Sequence, residues 1–104
     1  MNVTYTTALV LEAITAGYHY GFDVMDVTGL PSGTVYPVLR RLEDEGLVRS
    51  RWEKATLAHD EGRPPRRYYE ATGSGERWLA QARARFRLLE AAVPPKLKPA
   101  RAEA

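Results

Sequence analysis

Tyr36, Arg40 and Arg41 stand at spacings that bring them together on the outer side of a helix. Arginine guanidinium groups bind phosphates and guanine edges, and a tyrosine hydroxyl can donate to a phosphate. Gly33 and Pro37 fall on the same side, and both disfavour a helix unless they lie in its first turn or a partner approaches the backbone. The pattern indicates a surface that binds a polyanion; the plainer interpretation is a surface helix whose charges favour solubility.

The helix that positions these side chains is predicted over residues 30–47. Pro31 and Ser32 mark its start, because a serine side chain can cap unpaired N–H groups and a nearby proline resists extension upstream. Gly46 marks its end as the residue that follows the C-cap. The opposite side of the helix is apolar and is predicted to be buried, with Val35, Val38, Leu39 and Leu42.

Two shorter predicted helices precede it. Residues 4–16 are apolar nearly all round, so that helix is expected to be buried on most sides, with a second protomer as one candidate cover. Residues 22–27 form a short helix, and residues 28–29 form a turn. The short helix contributes three candidates for the core, Phe22, Val24 and Met25. A short helix, a turn and an amphipathic helix are the pattern of a helix-turn-helix.

The hydrophobic period changes after the amphipathic helix. Residues 47–54 and 66–71 alternate as strands, and a polar loop over residues 56–65 separates them. Trp52 falls on the same strand face as Val48 and is predicted to be in the core. Two strands joined by a basic loop, directly after a helix-turn-helix, make a β-wing. The loop of such a wing can lie along the DNA backbone or enter the minor groove.

The last predicted helix follows the N-cap Thr72 and runs over residues 73–93. Five apolar residues within it are spaced 3, 4, 3 and 4, the pattern of a coiled-coil seam: Leu79, Ala82, Phe86, Leu89 and Val93. We expect this seam to form a dimer interface; the alternative is that it packs on its own domain. Trp78 lies beside the seam and is a candidate for an effector pocket, with plain packing as the alternative.

Composition narrows the class of protein. All 15 Lys and Arg residues lie from Arg40 onward, so a basic part follows a mildly acidic, apolar beginning. The absence of Cys excludes disulfides and thiolate metal sites, and it is compatible with the cytosol. No stretch approaches the roughly 18 apolar residues of a membrane span, and the N-terminus lacks the basic start of a signal peptide. We therefore expect a cytoplasmic protein without a membrane partner.

Catalytic motifs are not found in the sequence. His19 and His59 are the only histidines, and they are far apart in sequence. The chain contains no Gly-rich phosphate loop, no HExxH and no nucleophile elbow. We therefore expect no enzymatic activity, no catalytic residue, no metal and no cofactor.

Three stretches resemble the PadR family of bacterial transcriptional regulators. Residues 21–24, GFDV, are similar to the family's GYEI; residues 31–48, PSGTVYPVLRRLEDEGLV, to its SxGTLYPLLRRLEEEGLV; residues 62–72, GRPPRRYYEAT, to its GRPRRYYRLT with one extra Pro. The resemblance implies a winged-helix domain, a homodimer built through the C-terminal helix, and repression of a nearby promoter. It also implies a small aromatic or lipophilic effector. Asp26 departs from the family, whose members often have Lys or Arg there.

The roles in DNA binding follow from a helix whose N-terminus points toward the duplex. Hydroxyl and N–H groups at its start would bind a phosphate, helped by the helix dipole. Arg40 is the best candidate for reading a guanine, and Arg41 for the same role or for the backbone. Arg63 at the loop tip, with Arg66 or Arg67, is the candidate for the minor groove. The predicted DNA-binding residues are Ser32, Gly33, Thr34, Tyr36, Pro37, Arg40, Arg41, Arg63, Arg66 and Arg67.

The sequence as a whole predicts a mainly α protein with a small β-hairpin (α+β). A winged helix-turn-helix domain over residues 1–72 precedes a C-terminal dimerisation helix over residues 73–93 and a flexible tail over residues 94–104. The predicted function is a DNA-binding transcriptional regulator, a dimeric repressor that binds an inverted-repeat operator and is released by a small effector. The alternative is a winged helix that binds another protein, without a specific operator.

Overall fold

The computed structural model describes residues 2–96. They form five α-helices and one two-stranded antiparallel sheet: α1 (Tyr5–Thr15), α2 (Gly21–Thr28), α3 (Ser32–Asp44), β1 (Val48–Trp52), α4 (Ala55–Asp60), β2 (Arg67–Ala71) and α5 (Gly73–Arg85), followed by a 3₁₀ helix, Glu90–Ala92. The predicted fold class, mainly α with a small β-hairpin, is confirmed. Within the described residues, no helix is long and apolar enough to cross a membrane.

Helix α1 lies at the centre of the core. Thr4 caps it, because the Thr4 side chain accepts a hydrogen bond from the N–H of Thr7. Every residue from Thr7 to Ile14 is buried, as the apolar pattern predicts. The cover comes from α2, α3, β2 and α5 of the same chain. The chain itself therefore supplies the burial for which a second protomer was a candidate.

Helices α2 and α3 form the predicted helix-turn-helix. Gly29 ends α2 with a left-handed backbone, φ 76°, a conformation that glycine adopts without steric cost. Pro31 is the N-cap residue of α3 and Ser32 is already helical, so the predicted capping by the Ser32 side chain is wrong. Phe22, a predicted core residue, is 62% exposed. The predicted inner side of α3 is confirmed, with Val35, Leu39 and Leu42 buried and Val38 half-buried.

Strands β1 and β2 form the predicted hairpin, and their register places Trp52 opposite Arg67. The segment that joins them is not the polar loop predicted over residues 56–65. It contains α4, whose Ala58 is completely buried. The N–H of Arg63 donates to the Ala58 carbonyl at 3.0 Å, which closes the turn after α4. The segment between the two strands therefore buries one apolar side chain, that of Ala58.

Helix α5 begins as predicted, with the Thr72 side chain as its cap. It ends at Arg85, so the predicted continuous helix over residues 73–93 is wrong. Phe86 has an extended backbone, and the chain then folds back until Leu89 and Val93 are buried. A helix through residue 93 would be about 30 Å long. In a single chain it would leave these two apolar side chains uncovered, which is the physical reason for the break.

Polar contacts fasten this returning segment and α5 to the first helix. The Tyr18 hydroxyl donates to the carbonyl of Pro94 at 2.9 Å. The Arg83 guanidinium donates to both carboxylate oxygens of Glu12, at 2.9 and 2.8 Å, and Glu12 is buried on α1. A bidentate pair of this kind fixes orientation as well as distance. The segment that ends at Pro94 therefore shares the core of the helix-turn-helix. From residue 97 onward, the predicted flexible tail lies outside the described residues.

Candidate nucleic-acid interface

The exposed side of α3 carries two arginines whose side chains have no partner among the described residues. Tyr36 is 48% exposed, and Arg40 and Arg41 are exposed beside it. Within residues 2–96, neither arginine side chain forms a hydrogen bond or an ion pair. Both guanidinium groups are therefore available to an external anion. The open groove on this side is lined by Tyr36, Pro37, Arg40, Arg41, Asp44 and Glu45.

The start of α3 offers backbone donors. Ser32 and Gly33 are exposed, whereas Thr34 is half-buried. The N–H groups of Thr34 and Val35 both donate to the carbonyl of Pro31 at 3.0 Å. The N–H groups of Ser32 and Gly33 have no backbone acceptor in the described part of the chain. These two groups can bind a phosphate with the help of the helix dipole, while Thr34 contributes only its hydroxyl.

Glu43 joins α3 to one face of the hairpin. Its carboxylate accepts a hydrogen bond from the Ser50 hydroxyl at 2.6 Å and lies 3.8 Å from the Arg67 guanidinium. The Nε of Arg67 also donates to the Ser50 hydroxyl at 2.9 Å. Tyr69 pairs with Ser50 on this face. Burial, together with the Glu43 charge, raises the pKa of the Tyr69 phenol above its ordinary value.

Arg66 lies on the other face of the hairpin, as the predicted alternation requires. Its guanidinium lies 4.0 Å from the centre of the Tyr20 ring, and its Nε is 3.6 Å from the Glu53 carboxylate. Both wing arginines nevertheless border one groove, which connects the exposed side of α3 to the hairpin. The lining of this groove consists of Tyr20, Gly21, Phe22, Tyr36, Arg66, Arg67 and Tyr69.

Arg63 does not lie at an exposed loop tip, so that prediction is wrong. Its side chain is only 23% exposed. The guanidinium donates to both oxygens of the Glu53 carboxylate and, at 2.8 Å, to Glu61. The hydrogen bonds from Arg63 hold the pKa of Glu53 below its ordinary value, against the opposing effect of burial. Arg63 therefore connects the end of the segment that joins the strands to Glu53, the residue that follows β1.

Glu53 is the partner of Arg63, and the sequence did not predict this pair. Its side chain is 4% exposed, and it also accepts the N–H of Arg66 at 2.9 Å. The alternation of β1 places it on the face of Arg49 and Arg51, where a charged residue indicates exposure. The pairing with Arg63 reverses this expectation, and the spacing of the two residues in sequence gives no signal of it.

Trp52 is 62% exposed, so its predicted place in the core is wrong. It shares a face with Val48 and Ser50, as the alternation predicts. Exposure increases along this face, from buried Val48 through half-buried Ser50 to Trp52. The hairpin extends beyond the part of α3 that covers it. The Trp52 ring centre lies 5.0 Å from the Arg67 guanidinium.

The predicted seam of the last helix packs on its own domain in this structure. Leu79, Ala82, Leu89 and Val93 are buried in the core of the chain, and Phe86 is half-buried. Two apolar side chains at this end stay exposed beside Phe86, namely Tyr5 and Leu88, the latter at 78%. Trp78 packs half-buried against the core, and its indole N–H is buried without an acceptor among the described residues. A dimer interface and an effector pocket here remain predictions.

His19 has a structural environment. Its Nδ1 lies 2.8 Å from the carbonyl oxygen of Tyr69, and its ring stacks on Tyr68 with 4.4 Å between the ring centres. Between residues 2 and 96, no group of three or more His, Cys, Asp or Glu side chains is placed to hold a metal ion.

Comparisons with known proteins show which family and which solved structures this chain resembles. The model of the transcriptional regulator PadR-like family matches residues 10–81. A PadR-like transcription factor from Bacteroides fragilis has 27% identity and a TM-score of 0.65, with 82% of each chain covered. A PadR family transcriptional regulator from Eggerthella lenta DSM 2243 has 30% identity and a TM-score of 0.64, with 80% of this chain and 72% of that chain covered.

A third similar structure supports the fold alone. A PadR family transcription regulator from Clostridium difficile R20291 has a TM-score of 0.70 over 85% of this chain and 93% of that chain. Its identity is 22%, which is too low to transfer a function. Among curated proteins, none matches the sequence.

Proposed function

The chain belongs to the PadR-like family of transcriptional regulators, and from that membership we propose that it is a dimeric, cytoplasmic repressor that binds an inverted-repeat operator. The exposed side of α3 enters the major groove, and the hairpin contacts the neighbouring backbone. Arg40 reads a guanine edge, and Arg41 binds a guanine or a phosphate. Ser32, Gly33 and Thr34 bind a phosphate at the start of α3.

One observation carries the DNA-binding part of the proposal. Arg40 and Arg41 are exposed without an ion pair among the described residues, whereas Arg49, Arg51, Arg63, Arg67 and Arg83 all have carboxylate partners. An unpaired guanidinium gains most from a phosphate or a guanine, because no existing ion pair must break. A protein-binding helix would instead expose aliphatic side chains on this face.

The dimer is supported by the apolar side chains that stay exposed near the end of α5. Tyr5 and Leu88 flank Phe86 on one shallow groove, and a second copy would cover them. Twofold symmetry then requires operator half-sites about 34–36 Å apart, or a multiple of that spacing. Sedimentation of the full chain at micromolar concentration tests this proposal, and a monomer would contradict it.

The proposed effector binds beside Trp78. Its support is the indole N–H of Trp78, which is buried without an acceptor in the described chain. A small aromatic or lipophilic compound with an oxygen acceptor would satisfy this donor and release the operator. Addition of such compounds to the DNA complex, with dissociation as the readout, tests it.

The experiment for the function as a whole is fluorescence anisotropy with two labelled duplexes at two salt concentrations. One duplex is the DNA upstream of the protein's own gene, and the other has a random sequence. We expect tight, salt-sensitive binding that prefers the upstream duplex, since phosphate contacts release counterions and base contacts discriminate. Absence of binding to either duplex at low salt would contradict DNA binding and favour a protein partner.

A further inference from the structure

We infer that Trp52 is a DNA-contacting residue of the wing, an apolar plate that packs on deoxyribose next to the groove occupied by α3. This inference rests on the proposed function, and it adds to it a contact that reads no base. It also gives Arg67 two roles. Its guanidinium would bind a phosphate and would hold the Trp52 indole in place.

The exposure of Trp52 is the first observation. At 62% exposed, this large apolar side chain lies mostly in water, although β1 begins in the core at Val48. An indole in water carries a hydrophobic cost that burial against a partner recovers. Leu57 on α4 is also exposed, at 46%, but it lies on the segment that joins the strands and not on the hairpin face that meets α3.

The position of Trp52 is the second observation. Ser50 lies two residues before it on the same hairpin face, and the Ser50 hydroxyl binds Glu43 of α3 at 2.6 Å. The face that carries Trp52 is therefore the face that meets α3. Arg67, opposite Trp52 in the register, borders the same groove as Tyr36. A duplex that contacts Tyr36 along this groove meets Arg67 and Trp52 next.

The contacts of Arg67 give the third observation. Its guanidinium lies 5.0 Å from the Trp52 ring centre, and its Nε donates to Ser50 at 2.9 Å. An arginine fixed in this way limits the movement of the indole and places a positive charge over one face of its ring. The DNA backbone presents an apolar sugar next to a negatively charged phosphate. The Trp52 indole can pack on the sugar while the Arg67 guanidinium binds the phosphate.

The chemistry of the contact makes a distinctive prediction. An indole on deoxyribose contributes no charge, so its loss leaves the salt dependence of binding unchanged. It reads no base, so its loss weakens specific and random duplexes alike. Arg67→Ala, in contrast, removes a cation and should lower the slope of log K against log salt by about 1.

The test compares Trp52→Ala, Trp52→Phe and Leu57→Ala in full-length protein, with the anisotropy assay described above. We expect Trp52→Ala to weaken binding to both duplexes about tenfold without a change in salt slope, because apolar area buried against the sugar is lost. Trp52→Phe should retain most of the affinity. Leu57→Ala, an exposed apolar residue of the same wing, should bind as the wild type does. Thermal melts of each variant check that the fold is intact.

Fluorescence supplies an independent readout. Duplex addition should change the tryptophan emission of the wild type, and this change should be lost in Trp52→Phe, which retains Trp78. If the wild type binds DNA but Trp52→Ala binds equally well, the inference is overturned while the proposed function stands. If the wild type binds neither duplex, the proposed function fails and the inference fails with it.

Discussion

Gly21, the first residue of α2, lies directly against the ring of Tyr36 on α3. A Cβ built on Gly21 would be 2.5 Å from Cε1 of Tyr36 and 2.8 Å from its hydroxyl oxygen. The Tyr36 ring can occupy its position because residue 21 has no side chain. Since Tyr36 borders both grooves of the proposed interface, the contact connects a backbone position to DNA binding.

Gly21→Ala should move the Tyr36 ring and spare the fold. The atoms that the methyl group would meet are the far end of a flexible side chain, so the ring can turn away. We expect an unchanged or slightly higher melting temperature, because alanine favours a helix, and about fivefold weaker operator binding, the loss of about one hydrogen bond. In a Tyr36→Ala background, the same substitution should have no further effect on affinity. An additional loss there would show that Gly21 acts through something other than Tyr36.

Arg40→Ala should weaken operator binding by about 1–3 kcal/mol and relax the preference at one base pair, because a bidentate guanine contact is lost. Random DNA should be affected much less. Arg77→Ala is the matched control, since Arg77 is also exposed but lies on α5, where its guanidinium donates to the Ser74 hydroxyl at 3.1 Å. Anisotropy with single-base operator variants measures both effects. An equal loss on operator and random DNA would remove Arg40 from the role of reading a base.

Arg63→Ala should lower stability more than it changes the salt dependence of DNA binding. The substitution leaves the nearly buried Glu53 carboxylate without its main donor and removes the contact to Glu61. We expect a clear fall in melting temperature, larger than for Arg49→Ala, whose guanidinium is mostly exposed and whose ion pair is screened by water. The slope of log K against log salt should stay as in the wild type. A slope lowered by about 1 with no change in melting temperature would instead place Arg63 on a phosphate.

The sequence predicted the position of Gly46 correctly and that of Arg63 wrongly, and the reason for the difference is physical. Gly46 follows α3 with a left-handed backbone, and Thr72 caps α5, as local patterns predict. Arg63 and Trp52 were placed wrongly, because their environments depend on contacts across the hairpin and on how much of it α3 covers. The break after Arg85 has no local signal either. It depends on the burial of Leu89 and Val93 in the core of the chain, which no helical pattern encodes.

Acid should destabilise the wing through Glu53. Arg63 lowers the pKa of this carboxyl in the folded protein from its ordinary value of 4.5. The unfolded chain therefore binds the proton more readily, so the stabilisation is fully present above about pH 5 and is lost as the pH falls through the folded pKa. Urea unfolding at pH 7 and near pH 3 measures the loss. Glu53→Gln should show a smaller acid-dependent loss than the wild type, and an equal loss would assign it to other carboxylates.

Gly75→Ala should destabilise the whole protein, because α5 starts against the end of the segment that follows α3. A Cβ on Gly75 would overlap the carbonyl oxygen of Leu47, and that oxygen also accepts the N–H of Thr72 at 3.0 Å. Backbone cannot turn aside as a side chain can, so the start of α5 must shift. We expect a loss of about 2 kcal/mol, or roughly 10 °C in melting temperature for a domain of this size.

Gly73→Ala is the matched control for that substitution. It changes the same residue type in the same first turn of α5, but its Cβ would meet only the Arg77 guanidinium at 3.5 Å, an ordinary contact. We expect its stability to stay within about 0.5 kcal/mol of the wild type or to rise slightly, since alanine favours a helix over glycine. Similar losses from both substitutions would mean that the turn needs glycine for its flexibility. A loss confined to Gly75→Ala would establish the close approach of Gly75 to Leu47 as the contact that sets α5 against the helix-turn-helix.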